Sequence, residues 1–125
     1  MIGRYRIVRG KRPADDPLPD GVRQDTRKHT RHILRPGAEL VARFLSRPDA
    51  EGFKAFRAGY LHLLEERFRE DRAAFDALSD LALRTDVFIG CNCPTTKQPD
   101  VTHCHTYLAL GFLAKHYPQL KVQWP

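Results

Sequence analysis

Three consecutive apolar residues, Val87, Phe88 and Ile89, interrupt a chain that from Gly37 to that point reads with a helical period. A continuous run this short is what a strand buried on both faces requires, because a half-buried strand would alternate. On its N-terminal side, ELVARFLSR is a short amphipathic helix that ends before Pro48. Asp49 caps the next helix, where Phe53, Phe56, Tyr60, Leu63, Leu64 and Phe68 form one stripe. Asp71 starts a third, with Phe75, Leu78 and Ala82 aligned. On its C-terminal side, HCHTYLALGFLAKHY is a strongly apolar helix and LKVQW alternates as a last strand. Helices on either side of a buried strand point to an α/β fold, a small mainly parallel sheet flanked by helices in a single compact domain, residues 1–125. Residues 86–91 would be the central strand, with helices on its faces.

The N-terminal segment, residues 1–36, is of another kind. RYRIVR alternates, so that Tyr5 and Ile7 would face a core and Arg4 and Arg6 water. GKRPADDPLPDG is a loop, and VRQDTRKHTRHILRP reads as a short helix stopped by Pro36. The net charge of +6 resides here: residues 1–35 hold ten Lys/Arg against four Asp/Glu, and the rest of the chain is balanced. On a helix Lys28, Arg31, His32 and Arg35 would share a face. Arg27, Lys28 and Arg31 are the candidate anion-binding residues, for phosphate, a nucleotide or nucleic acid, and a solvated basic face is the alternative. The chain has no RNP-like aromatic motif, Gly-rich phosphate loop or zinc-finger spacing. No run of about 18 apolar residues suggests a membrane span, and the N-terminus lacks the apolar region of a secretory signal.

All three cysteines lie in FIGCNCPTTKQPDVTHCHTYLAL, residues 88–110. An odd count with a C-x-C pair argues against a disulfide scaffold and for a reducing cytoplasm. The loop runs from the C-terminal end of the buried strand to the start of the last helix, the edge where α/β sheets bind ligands. If Asp100 or Thr102 caps that helix, Cys104 falls in its first turn, where the dipole favours thiolate. His103 and His105 flank it as acid–base partners. Cys91 and Cys93 would share one side of an extended strand, Cys91 buried and Cys93 at the tip. Cys93, Cys104, His103 and His105 are the candidate ligands of a zinc-like ion, although the spacing matches no standard zinc motif. Buried, inert cysteines and polar histidines at a helix start are the plain structural alternative.

LPDGVRQ, GAELVARFLSRPDAEGFKAFRAGYLHLL and LALRTDVFIGC together resemble the YeaO-like branch of a family of small bacterial domains of unknown function, over most of residues 4–114. A related branch carries Cys-His-Arg at the start of its last helix, where this chain has Cys104-His105-Thr106. The chain keeps only Leu18-Pro19-Asp20-Gly21-Val22 of the branch's Asp-Arg-Leu-Trp-Pro-Arg-Gly stretch, and Thr106 stands for the arginine. The resemblance implies a compact α/β fold and draws attention to Cys104 and His105. It implies no activity.

Three functions compete on these residues. One is a thiol-dependent enzyme with Cys104 as nucleophile and His103 or His105 as base. Another is a metal-stabilised domain. The third is a nucleotide or nucleic-acid module that uses the basic segment. Whether the chain is an enzyme is left open.

Overall fold

The computed structural model describes residues 1–125. Three strands, β1 (Ile2–Arg6), β2 (Val22–Asp25) and β3 (Val87–Cys91), form one parallel sheet in the order β1-β3-β2. The apolar run is thus the middle strand. Ile2 and Val22 flank Val87, and Arg4 and Gln24 flank Ile89. Between β2 and β3 lie α1 (Ala38–Ser46), α2 (Ala50–Glu70) and α3 (Arg72–Arg84). After β3 a 3-10 turn (Val101–His103) leads into α4 (His105–His116). No helix is long and apolar enough to cross a membrane.

Local signals place these helices. The Asp49 carboxylate accepts from Gly52 N–H at 2.8 Å and that of Asp71 from Ala74 N–H at 3.3 Å, so each aspartate satisfies an orphan donor of a first turn. Phe56, Tyr60 and Leu64 from α2 and Phe75, Leu78 and Ala82 from α3 are buried in one core cluster. Leu108, Ala109, Leu110, Phe112 and Leu113 of α4 join it, so this helix is apolar on more than one face and lies inside the protein.

The sheet contributes Ile2, Val87 and Ile89 to that cluster, all from one face. Phe88 points to the other face, where Tyr5, Pro19 and Trp124 share its surroundings. Helices on both faces were expected; instead the core gathers the helices over one. The connection from β1 to β2 contains no helix, and that proline-rich segment with the C-terminal residues meets the second face. Gly21 makes the entry to β2 possible. Its φ is +137°, and a Cβ there would stand 2.6 Å from the Asp86 carbonyl, which accepts the Val22 N–H at 2.9 Å.

Three further sequence expectations need correction. Residues 22–25 are a strand and residues 27–35 are turns, so Lys28, Arg31, His32 and Arg35 share no helix face. That segment had no apolar stripe for a helix to bury, whereas the open edge of β3 offered hydrogen bonds to a strand. LKVQW makes a single bridge, Ile2 to Val122, rather than a strand. In β1 Arg4 points inward on the same face as Ile2, while Tyr5 and Ile7 lie on the far face against Gly90.

His32 has both ring nitrogens engaged in the turn after β2. Nδ1 accepts from Leu34 N–H at 3.1 Å, so Nε2 carries the proton and donates to Gln24 Oε1 at 2.6 Å. Burial, then the neighbouring His105, pushes its pKa from 6.5 down to about 4. The unfolded chain therefore takes up this proton first as pH falls. The contribution is complete above pH 6.5 and disappears between 6.5 and about 4. A shift of that size corresponds to about 3 kcal/mol, which partial exposure reduces to about 1–2 kcal/mol. Urea unfolding of the His32→Gln variant should show a flatter pH dependence across that window. An unchanged slope would assign the acid sensitivity elsewhere.

Candidate metal centre

The three cysteines meet at the C-terminal edge of the sheet. Cys91 ends β3, Cys93 follows two residues on, and Cys104 is the N-cap residue of α4. Their sulfurs all lie within 4.8 Å of one another, and those of Cys91 and Cys93 are 3.9 Å apart. All three thiols are free. Cys91 is half-buried, whereas Cys93 and Cys104 are only 7% and 1% exposed. This reverses the expected order, in which Cys91 was the buried residue and Cys93 the open one. The Cys93–Pro94 peptide bond that follows is cis.

Hydrogen bonds polarise the cluster toward Cys104. The neighbouring Cys91 and Cys93 thiols favour its thiolate, burial opposes, and the Thr106 hydroxyl donates at 3.1 Å; the balance holds Cys104 well below the ordinary thiol pKa. Cys93 moves the other way, raised first by the neighbouring Cys104, then by Cys91 and by burial. Thr106 is fully buried and its rotor is fixed. Its oxygen accepts from Arg4 Nε at 2.9 Å, so its one proton is free to point at sulfur. Arg4 Nη2 also donates to the Cys93 carbonyl at 2.6 Å. One guanidinium thereby ties β1 to both arms of the cysteine loop.

His105 is buried at 4% exposure, its ring edge-on to Tyr60 with centroids 5.8 Å apart. Nε2 lies 2.9 Å from Thr26 Oγ1, which is itself 3.0 Å from the Gly90 carbonyl. A carbonyl can only accept, so Thr26 donates to it and His105 donates from Nε2. Nδ1 then carries the lone pair, and it faces Cys104 Sγ at 3.8 Å. His103 is placed differently. Its ring packs edge-on to Phe53 with centroids 4.0 Å apart, and Nε2 lies 3.5 Å from Asp100 Oδ2. Asp100 caps the 3-10 turn through Thr102 N–H rather than capping α4.

The cluster forms part of the wall of a cleft of about 340 Å³, which Arg27, Lys28, His29, His103 and His105 also line. Arg27 is held by Asp25, at 2.8 Å from Nη2 to Oδ2, and by Asn92 at 3.0 Å. That pairing raises Arg27 and lowers Asp25 from their ordinary pKa values. Arg31 is not in this wall; it lies with Arg35, Arg67 and Glu70 in a separate surface depression. The proposed anion-binding trio is therefore split.

Sequence reasoning turned Arg4 toward water, noted Thr106 only in place of an arginine and passed over Thr26; the roles of all three depend on contacts between distant segments. The C-x-C pair on one side of an extended strand was the legible signal for the sulfur cluster. No family model, curated protein or solved structure matches the chain.

Proposed function

We propose that the protein is a metal-binding protein in which Cys91, Cys93 and Cys104 hold a zinc-like ion as thiolates. The convergence of three sulfurs within 4.8 Å carries this reading. With Zn–S bonds of about 2.3 Å, the edge of a tetrahedron is about 3.8 Å. The 3.9 Å between Cys91 and Cys93 is close to that edge. Three protein ligands leave a fourth position, and the cleft supplies space for water or a ligand there. His105 Nδ1 approaches Cys104 and is the nearest imidazole donor to the cluster. Three thiolates on a divalent ion leave a net negative charge, which the Arg4 guanidinium offsets from behind.

A second reading uses Cys104 as a nucleophile with His105 as its base, and the short chain of donors ending at its sulfur supports it. Its 1% exposure favours the ligand role, since a nucleophile needs an open approach.

Protein purified without chelator should retain about one equivalent of zinc by elemental analysis. Stoichiometric cobalt(II) should give thiolate-to-cobalt charge-transfer absorption, weakened or absent in Cys104→Ser. The absence of bound metal and of that absorption would remove the reading. Rapid alkylation of Cys104 that metal leaves unaffected would favour the nucleophile.

A further inference from the structure

The cleft beside the sulfur cluster has a one-signed charge pattern that the metal reading does not use. None of its 17 lining residues is Asp or Glu, while Arg27, Lys28 and Lys97 are cationic. Asp25, behind the wall, pairs with Arg27 at 2.8 Å and approaches His29 at 3.9 Å. Asp100 approaches His103 at 3.5 Å. Lys28 and Lys97 take part in no ion pair, so two positive charges are unpaired on the rim. They come from distant segments, the turns after β2 and the loop after β3, and the fold brings them to one opening. Part of the wall is apolar: Pro36, Val41, Phe44, Leu45 and Phe56 line it, and Leu45 is 52% exposed.

We propose that this cleft binds a small organic anion, a carboxylate or phosphate on an apolar body. The anionic group sits between Lys28 and Lys97, and the body lies along the wall formed by Val41, Phe44 and Leu45. An inorganic anion would leave the apolar wall unused, and a neutral hydrophobe would leave the lysines unused. A volume of about 340 Å³ lies at the small end of ligand cavities, which suits a compact aromatic acid better than a polymer. The proposal takes from the metal reading only the sulfurs as part of the wall. It does not need the metal.

The test therefore uses metal-free full-length protein in the presence of chelator, at fixed pH and low salt. The probes are two disulfides, the dianionic 5,5′-dithiobis(2-nitrobenzoate) and the cationic cystamine. In each case a protein thiolate attacks one reagent sulfur, a protein–reagent disulfide forms, and the other half leaves as thiolate. The ratio of the two rates is divided by the same ratio for 2-mercaptoethanol, which removes intrinsic reactivity. The normalised preference for the anion should be about 10-fold or more and should fall toward one in Lys28→Glu/Lys97→Glu. Both lysines are exposed surface residues outside the sulfur cluster. In parallel, 2-naphthoate should slow labelling at concentrations where acetate does not. A normalised ratio near one, a ratio unmoved by the double reversal, or equal effects of naphthoate and acetate would each overturn the proposal. The metal reading is judged separately by zinc content and cobalt absorption, so either can fail without the other.

Discussion

Zinc-loaded protein should lose about 4 kcal/mol of stability when a chelator strips the ion, judged at free zinc near a thousand times its dissociation constant. For a chain of 125 residues this corresponds to a fall of roughly 10–20 °C in Tm. The effect is large because the ion would bridge the central strand and the start of α4, two elements that the chain joins only through the intervening loop. Cys91 belongs to the central strand, Cys93 to the loop, and Cys104 to the start of the most buried helix. An ion held by all three cross-links the sheet to α4, and the unfolded chain does not assemble that set. Cys104→Ser should lose most of the zinc-dependent increment. Its stability in chelator should differ from the parent's by much less. Calorimetry with and without zinc checks both. A Tm that moves by less than about 2 °C on chelation, well below the shift expected per few kcal/mol, would show that the sulfurs hold no structural ion.

The absence of alternation at Val87–Ile89 was enough to place the central strand, because burial on both faces leaves no polar position to misread. The caps at Asp49 and Asp71 were equally legible, since each bonds within its own first turn. Strand β2 was not. Its four residues, Val22, Arg23, Gln24 and Asp25, carry little strand propensity, and only the edge of β3, whose paired residues lie 65 positions later in the chain, makes them extended. The site divides along the same line. The cysteine loop lies within about two dozen residues of sequence and its position followed from the strand and helix on either side. Arg4 was read backwards. Alternation in RYRIVR says that two faces differ without saying which is inward, and the larger apolar residues were taken as inward. Gly90 decides otherwise: a Cβ there would meet Tyr5 at 2.6 Å, so its lack of a side chain makes room for Tyr5 on the far face. Arg4 then turns to the cluster, where Thr106 and the Cys93 carbonyl receive it.

Arg4→Met should destabilise the metal-free protein by about 3–5 kcal/mol, because two bonds from a charged donor are lost together. Methionine fills much of the same space without donors, so the loss reports hydrogen bonding more than packing. What is left behind is costly. Thr106 is fully buried, and its hydroxyl oxygen loses the Arg4 donor at 2.9 Å; the Cys93 carbonyl loses its donor at 2.6 Å. Arg4→Lys should recover less than half of the loss, since one ammonium on a flexible stem does not reproduce a fork that reaches two acceptors. The sulfur chemistry should respond in the same direction. Once its oxygen is no longer held by Arg4, the Thr106 hydroxyl is free to rotate away from Cys104, and the donor at 3.1 Å is no longer oriented. The Cys104 pKa should then rise toward the ordinary thiol value, because one of the contacts that lowers it is weakened. Urea unfolding in chelator gives the first quantity, and thiolate absorbance against pH gives the second. A stability loss below about 1 kcal/mol, the net value of a single ordinary hydrogen bond, with an unchanged thiolate titration would mean that Arg4 only neighbours the cluster. A large loss of stability with an unchanged titration would assign Arg4 to holding the loop on β1, with no influence on the sulfur.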